Sequence, residues 1–396
     1  MATIQSFKAK CSMSLVTANE EEFKISPLYI KNVSTEYLFE DCIMPIVYAV
    51  LDVDPKIYER LLDNVKDGNI NVRIINYDAN TEAGLQKEII NDQFMYFVPA
   101  KYNYDKHTEG ESDLGPFDTS HIVLGMLKAE QIYANKKSFN GVYTETSTSS
   151  LLERFLEELP ELVMDELETD TEYESFLLPP EETRAQAIDY LFKQNPFYST
   201  SYTFFMDFTK TYLIDTSGKA RETEKATILF QIKNVDARSA YYTGISKDLE
   251  DGTYIIYVNQ SDVNVSINTM TDKKYNQIVS TYTDEVTVTD SNITMYSKET
   301  TNKQEFTRAN EMGAEIRKTI MDNTAVIIQL SKMNMDSTLI TPDKQYLVDY
   351  GEYSNYNGSY LLMYKKEIIN QAGEAYDTTT IVGLKRIAGQ DEEEIY

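Results

Sequence analysis

His107 and His121 are the only imidazoles in this chain, and neither stands at ligand spacing from a second histidine or from Cys11 or Cys42. A histidine beside acids, as His107 is in the run Tyr102-Asn103-Tyr104-Asp105-Lys106-His107-Thr108-Glu109, is one half of a metal site. With no second ligand at a fixed interval it reads as a solvated loop residue. His121 opens a strand. The serine in Gly110-Glu111-Ser112-Asp113 lacks the second glycine of a nucleophile elbow, and no run carries a phosphate loop or a G-x-G-x-x-G fingerprint. Carboxylates abound, so a glycosidase-like pair is open in principle. They are scattered over charged faces, however, and with no tryptophan there is no indole platform for a sugar. The reading is a non-enzymatic chain with no catalytic residue, no cofactor and no metal.

The balance of charge narrows the partners. A formal net charge of −27 over 396 residues argues against gripping a phosphate backbone, which needs clustered Lys and Arg. It is compatible with nucleic acid passing an acidic wall that repels it. Thirty tyrosines supply apolar area with a polar tip, suited to half-buried strands and to interfaces. The two cysteines fit a reducing compartment and read as small buried hydrophobes. The N-terminus shows no apolar leader, and no apolar run reaches the length of a membrane span. The expectation is a soluble product made in a cytoplasm, with no membrane insertion.

The elements that would position any site are mostly strands. Phe7, Ala9, Cys11, Met13 and Leu15 alternate with polar residues, the period of a half-buried strand. Ile25–Val33, Ile43–Val53 as a nearly continuous apolar run, a strand from Val72, Gln93–Ala100 with Phe94, Tyr96 and Val98 alternating, and His121–Ala129 read as further strands, the last closing a barrel or sandwich. Asp54-Pro55 opens a helix over Lys56–Asn64, with aspartate as N-cap and proline at the first position. Thr144–Ser149 reads as a linker by composition. Ser150 with Glu153 forms a capping box for a helix whose apolar face runs Leu151, Leu152, Phe155, Leu156, Leu159, Leu162, Val163.

The stretch Leu178–Asp215 comes next. Pro179-Pro180 followed by Glu181-Glu182 reads as a helix entrance, Ala187, Ile188, Leu191 and Phe192 as its apolar stripe, and Asn195-Pro196 as its end. Tyr202, Phe204, Phe205, Phe208 and Tyr212 then predict an aromatic strand pair turning near Asp207, the core of a small mini-domain. A second β-rich region begins at Ala226–Ile232. Tyr254–Val258 and Val263–Ile267, split by Asn259-Gln260-Ser261-Asp262, predict a hairpin. Phe306, Ala309, Gly313, Ile316 and Ile320 mark a helix whose small residues admit a close partner. Ala325–Leu330, Gln345–Val348, Ser359–Tyr364 and Thr378–Arg386 are the last strands. The candidate packing or interface residues are Leu152, Phe155 and Leu159 on one helix, and Ala309, Gly313 and Ile316 on the other.

This order of elements is similar to the central tail or baseplate hub proteins of tailed phages and related contractile systems. The local resemblance lies in Ala187-Ile188-Asp189-Tyr190-Leu191 followed by Tyr202–Ile214. A second point is the helix Ala309–Ile320 leading to Ile327-Ile328-Gln329-Leu330 and the turn Thr341-Pro342-Asp343. The resemblance implies an α+β, mainly β fold: two barrel-like tube domains with an inserted helix-containing middle region. Its divisions would be 1–146 for the first tube domain, 147–218 for a helical linker and mini-domain, 219–304 for a second β-rich domain, and 305–396 for a helix and the second tube domain. It further implies a structural virion protein, a homotrimer that joins the tail tube protein to a spike or tail-tip protein. Other baseplate proteins would be neighbours, and DNA would be met only in transit. Another tail adaptor, wedge or distal tail protein, or a β-rich carbohydrate-binding or carbohydrate-active protein, are the alternatives.

Overall fold

The structure, a computed structural model, describes residues 7–39, 42–78, 86–99, 120–181, 183–198, 201–216, 227–233, 246–248, 253–260, 263–267, 324–331, 337–351, 357–372 and 375–387. The first third holds β1 (Phe7–Val16), β2 (Glu22–Ile25), β3 (Ile30–Leu38), β4 (Ile46–Val53), α1 (Pro55–Asp63), β5 (Asn69–Asp78), β6 (Gln86–Phe97) and β7 (Ser120–Lys128). A middle region follows: α2 (Ala129–Asn135), β8 (Phe139–Ser147), α3 (Thr148–Leu156), β9 (Leu162–Met164), β10 (Glu172–Glu181), α4 (Arg184–Gln194), β11 (Tyr202–Met206) and β12 (Thr211–Asp215). Beyond it come β13 (Thr227–Lys233), β14 (Ser246–Asp248), β15 (Tyr254–Asn259), β16 (Val263–Ile267), β17 (Thr324–Ser331), β18 (Gln345–Asp349), β19 (Gly358–Ala372) and β20 (Ala375–Arg386). The fold is α+β and mainly β, as expected.

Eight strands pair in a ring. Around it run β1, β5, β6, β7, β4, β3, β19 and β20, every neighbour antiparallel, and β20 returns to β1. The return is brief, only Lys8↔Asp377 and Ala9↔Tyr376, so the ring is barrel-like with a thin seam and not bonded continuously all round. Alternation builds its interior. Ala9, Cys11, Met13 and Leu15 of β1, Val47, Ala49, Leu51 and Val53 of β4, and Ile70, Val72 and Ile74 of β5 all turn inward and are buried. Helix α1 forms as its cap dictates, with the Asp54 carboxylate accepting from Lys56 N and Ile57 N, each at 3.0 Å.

A second set of eight strands uses the same last two. Its order is β16, β17, β20, β19, β18, β13, β15, β14. Strand β13 runs parallel to both its neighbours, β15 and β18. Among the described residues this set stays open, since β14 and β16 each have one partner. The long hairpin β19–β20 therefore belongs to both sheets. Gly358–Tyr360 of β19 pairs with β18, whereas Tyr364–Asn370 pairs with β3. A register shift between Leu362 and Tyr364 marks the passage, the bend an extra residue produces. Gly383 lies opposite Tyr364 there, and a Cβ on it would stand 3.0 Å from the Tyr364 Cβ.

The pairing thus joins residues of the expected segments 1–146 and 305–396 in one ring, and 219–304 and 305–396 in one sheet. Several local expectations are corrected. Thr144–Ser149 is no linker: residues 144–147 lie in β8, which pairs with β10. The helix cap is Ser147, not Ser150; its hydroxyl accepts from Ser150 N, and the helix ends at Leu156. Leu162 and Val163 accordingly lie in strand β9, beyond Pro160, which cannot continue a helix. Pro179 and Pro180 end β10, and α4 starts only after the Thr183 cap. Asn195 ends that helix as the following proline requires. Tyr254–Asn259 and Val263–Ile267 are strands but not a hairpin, since β15 pairs with β13 and β14 while β16 pairs with β17. The expected helix through Ala309–Ile320 lies outside the described residues.

Candidate functional site

The aromatic hairpin β11–β12 is where the middle region meets the ring. Because strand side chains alternate, its two faces enter two different cores. Phe205, Phe208, Tyr212 and Ile214 pack in the large core that the ring shares with β13, β15 and β18, and Phe204, Met206 and Leu213 in a second core with α3, α4, Phe139, Phe176 and Leu178. Phe205 meets Phe39 at 4.7 Å between ring centroids, and Phe208 meets Phe94 and Tyr37 edge-on at 6.0 and 6.3 Å. Such pairs add about 0.5–1.5 kcal/mol each beyond area burial. The expectation of a core belonging to one mini-domain is half of what the strand does. Alternating aromatics on both faces, Phe204-Phe205 above all, carried the signal that neither face meets water.

Polar groups fix the turn of that hairpin. The Gln131 amide donates to Met206 O at 2.9 Å and to Asp207 O at 2.6 Å. Lys128, almost wholly buried, donates to Phe208 O at 3.2 Å and pairs with Asp92 at 3.0 Å and Glu130 at 3.2 Å. Asp207 accepts from Phe208 N at 2.7 Å. Its carboxylate sits deep among neighbouring atoms, and the loss of water raises its pKa against the pull of Lys365 and Lys128. Lys365 is buried too, 3.1 Å from Glu367 and 4.6 Å over the Tyr37 ring. Burial first, and Glu367 second, hold the Tyr37 phenol well above its ordinary value. This is a paired, hydrogen-bonded knot of lysines and carboxylates around the turn.

A second buried charge ties the helices of the middle region. Arg184, 2% exposed, opens α4 and donates to Ala134 O at 2.7 Å and to Phe155 O, the trailing ends of α2 and α3. A cation at a helix C-terminus meets the negative end of the dipole and satisfies carbonyls that have no partner inside the helix.

The residues singled out from the sequence separate widely. Leu152 and Phe155 are 0% exposed inside the second core and spend their surface within the chain. Leu159 packs half-buried at the edge of that core. Ala309, Gly313 and Ile316 lie outside the described residues, as does His107. His121 on β7 faces its cross-strand partner Asp52, Nδ1 to Oδ1 at 2.8 Å, on the surface. Among the described residues no three His, Cys, Asp or Glu side chains gather as a metal site. No helix among them is long and apolar enough to cross a membrane.

A family model described as the Bacteriophage PBS1 gene 109 protein matches residues 2–387. The chain belongs to that phage protein family. A search of curated proteins finds no match. Among solved structures the chain is similar to the tail protein of Neisseria meningitidis MC58, with a TM-score of 0.46 and 10% identity over 95% of this chain and 96% of that one. It is also similar to the 43 kDa tail protein of prophage MuSo2 from Shewanella oneidensis, with a TM-score of 0.44 and 8% identity over 96% and 99% of the two chains. A third is an E. coli type VI secretion system component, itself described as similar to T4 tail proteins, with a TM-score of 0.36 and 6% identity over 97% and 74%. The family is one of phage proteins, as the sequence resemblance implies.

Proposed function

We propose that the chain is a structural tail component of its phage, a hub whose subunits join in a ring between the tail tube and the central spike or tip. The observation that carries this reading is the pair of eight-stranded sheets built on one shared hairpin. One subunit then offers two eight-stranded units, one a barrel-like ring and one open among the described residues, and three subunits would offer six, the device that reconciles a threefold with a sixfold partner. Membership of a phage family and the order of elements support the same reading. The acidic surface suits a wall past which DNA moves without sticking, since a net charge of −27 repels a phosphate backbone. Nothing in the polar knots calls for catalysis. The test is the mass of the full chain in solution, alone and with the phage's tail tube protein. A trimer, or a ring that forms on adding the tube protein, is the expected result. A stable monomer in both conditions, or one that binds glycans, overturns it.

A further inference from the structure

Strand β9 is the outer strand of a three-stranded sheet ordered β11, β12, β9. It runs parallel to β12, with Leu162 beside Thr211 and Met164 beside Leu213. Thr211 N donates to Glu161 O at 3.0 Å and Asp165 N donates to Leu213 O at 3.1 Å. The odd-numbered residues thus turn their backbone groups to β12, and Leu162 and Met164 turn theirs to the outer side. No described strand lies there. Val163 points the other way and packs on the ring core. The side chains of Leu162 and Met164 continue the face of the second core to the surface, where they remain 40% and 36% exposed. The setting is acidic. Between Glu153 and Glu182 twelve Asp and Glu residues stand against one base, Arg154. Glu157, Glu161 and Glu166, which flank the strand, are exposed.

We propose that this outer edge of β9 takes up an extended, basic segment of another protein, added as a fourth strand. A neighbour strand about 4.8 Å away would meet the outward backbone groups, set alternate apolar side chains beside Leu162 and Met164, and bring its lysines or arginines to Glu157 and Glu166, Glu161 being already paired with Lys210 at 2.7 Å. A second copy of this chain is the wrong occupant on charge, since it would bring the same acidic rim against itself. The proposal stands whether or not the chain is a tail hub.

The probe is a fluorescein-labelled nine-residue peptide of alternating lysine and valine, titrated against the full chain by fluorescence anisotropy. Hydrogen–deuterium exchange then locates the contact. Saturable binding, with slowed exchange confined to residues 161–165, is expected. So is a loss of about tenfold or more in the variant L162S/M164S, which keeps the charge and changes only exposed side chains. The variant V142S/L177S, altered at another exposed apolar pair, is expected to bind as the parent does. No binding overturns the proposal, as do equal losses in both variants, protection outside residues 161–165, or equal affinity for a glutamate–valine peptide.

Discussion

Asp207 is one residue at which pH is felt. Burial raises its pKa above the ordinary carboxylate value, so its protonated form is the one the folded state prefers. The contribution of this group is therefore fully present below the unfolded pKa and is lost as pH rises through the raised folded value. Asp207→Asn keeps an oxygen for the Phe208 N–H and removes the charge. Denaturant unfolding of the two proteins is expected to give similar stability at acid pH and a gain for the variant as pH approaches neutrality. A gap that is constant with pH would refute the assignment. Arg184 makes the opposite demand. Arg184→Met retains much of the volume and leaves the carbonyls of Ala134 and Phe155 without their donor. A loss of about 2–4 kcal/mol is expected by urea unfolding, because orphaned buried acceptors forfeit their solvation. Neither residue stands out in the sequence: Asp207 sits in a turn-like run and Arg184 in a charged one, and what makes each consequential is long-range packing.

At the scale of elements, the hairpin β11–β12 couples two cores. Phe205→Ala removes a fully buried ring from the first and Leu213→Ala a fully buried side chain from the second, with expected costs of about 3–5 and about 2–5 kcal/mol. Because one hairpin serves both, each variant is expected to shift near-ultraviolet and far-ultraviolet transitions together in urea. Separate transitions would show two independent cores. The local elements were legible where short-range chemistry decides them: Asp54-Pro55 at a helix start, Asn195-Pro196 at a helix end, the period-two runs within β1 and β6. They were misread where a distant partner decides. Thr144–Ser147 has a linker's composition but is a strand because β10 lies against it, and Pro179-Pro180 ends a strand because Phe176 and Leu178 are already committed to the second core. Leu152 and Phe155, named from their helical spacing as packing or interface residues, pack in the second core.

At the scale of the molecule, the ring lacks two of its eight strands without residues 358–386. A fragment of residues 1–216 is expected to leave the outward edges of β1 and β3 open and to aggregate or stay unfolded. A peptide spanning residues 357–387, supplied in trans, is expected to bind it and restore a cooperative melt; a fragment that folds alone would show the ring to be dispensable. Mainly β character could be read from the chain without help, but which strands share a sheet could not, because the pairs that close the ring, β1 with β20 and β3 with β19, join residues some 330 or more positions apart. That distance carries a consequence in time. On a ribosome β20 emerges after every other strand described, so neither sheet can be completed until the hairpin β19–β20 is released.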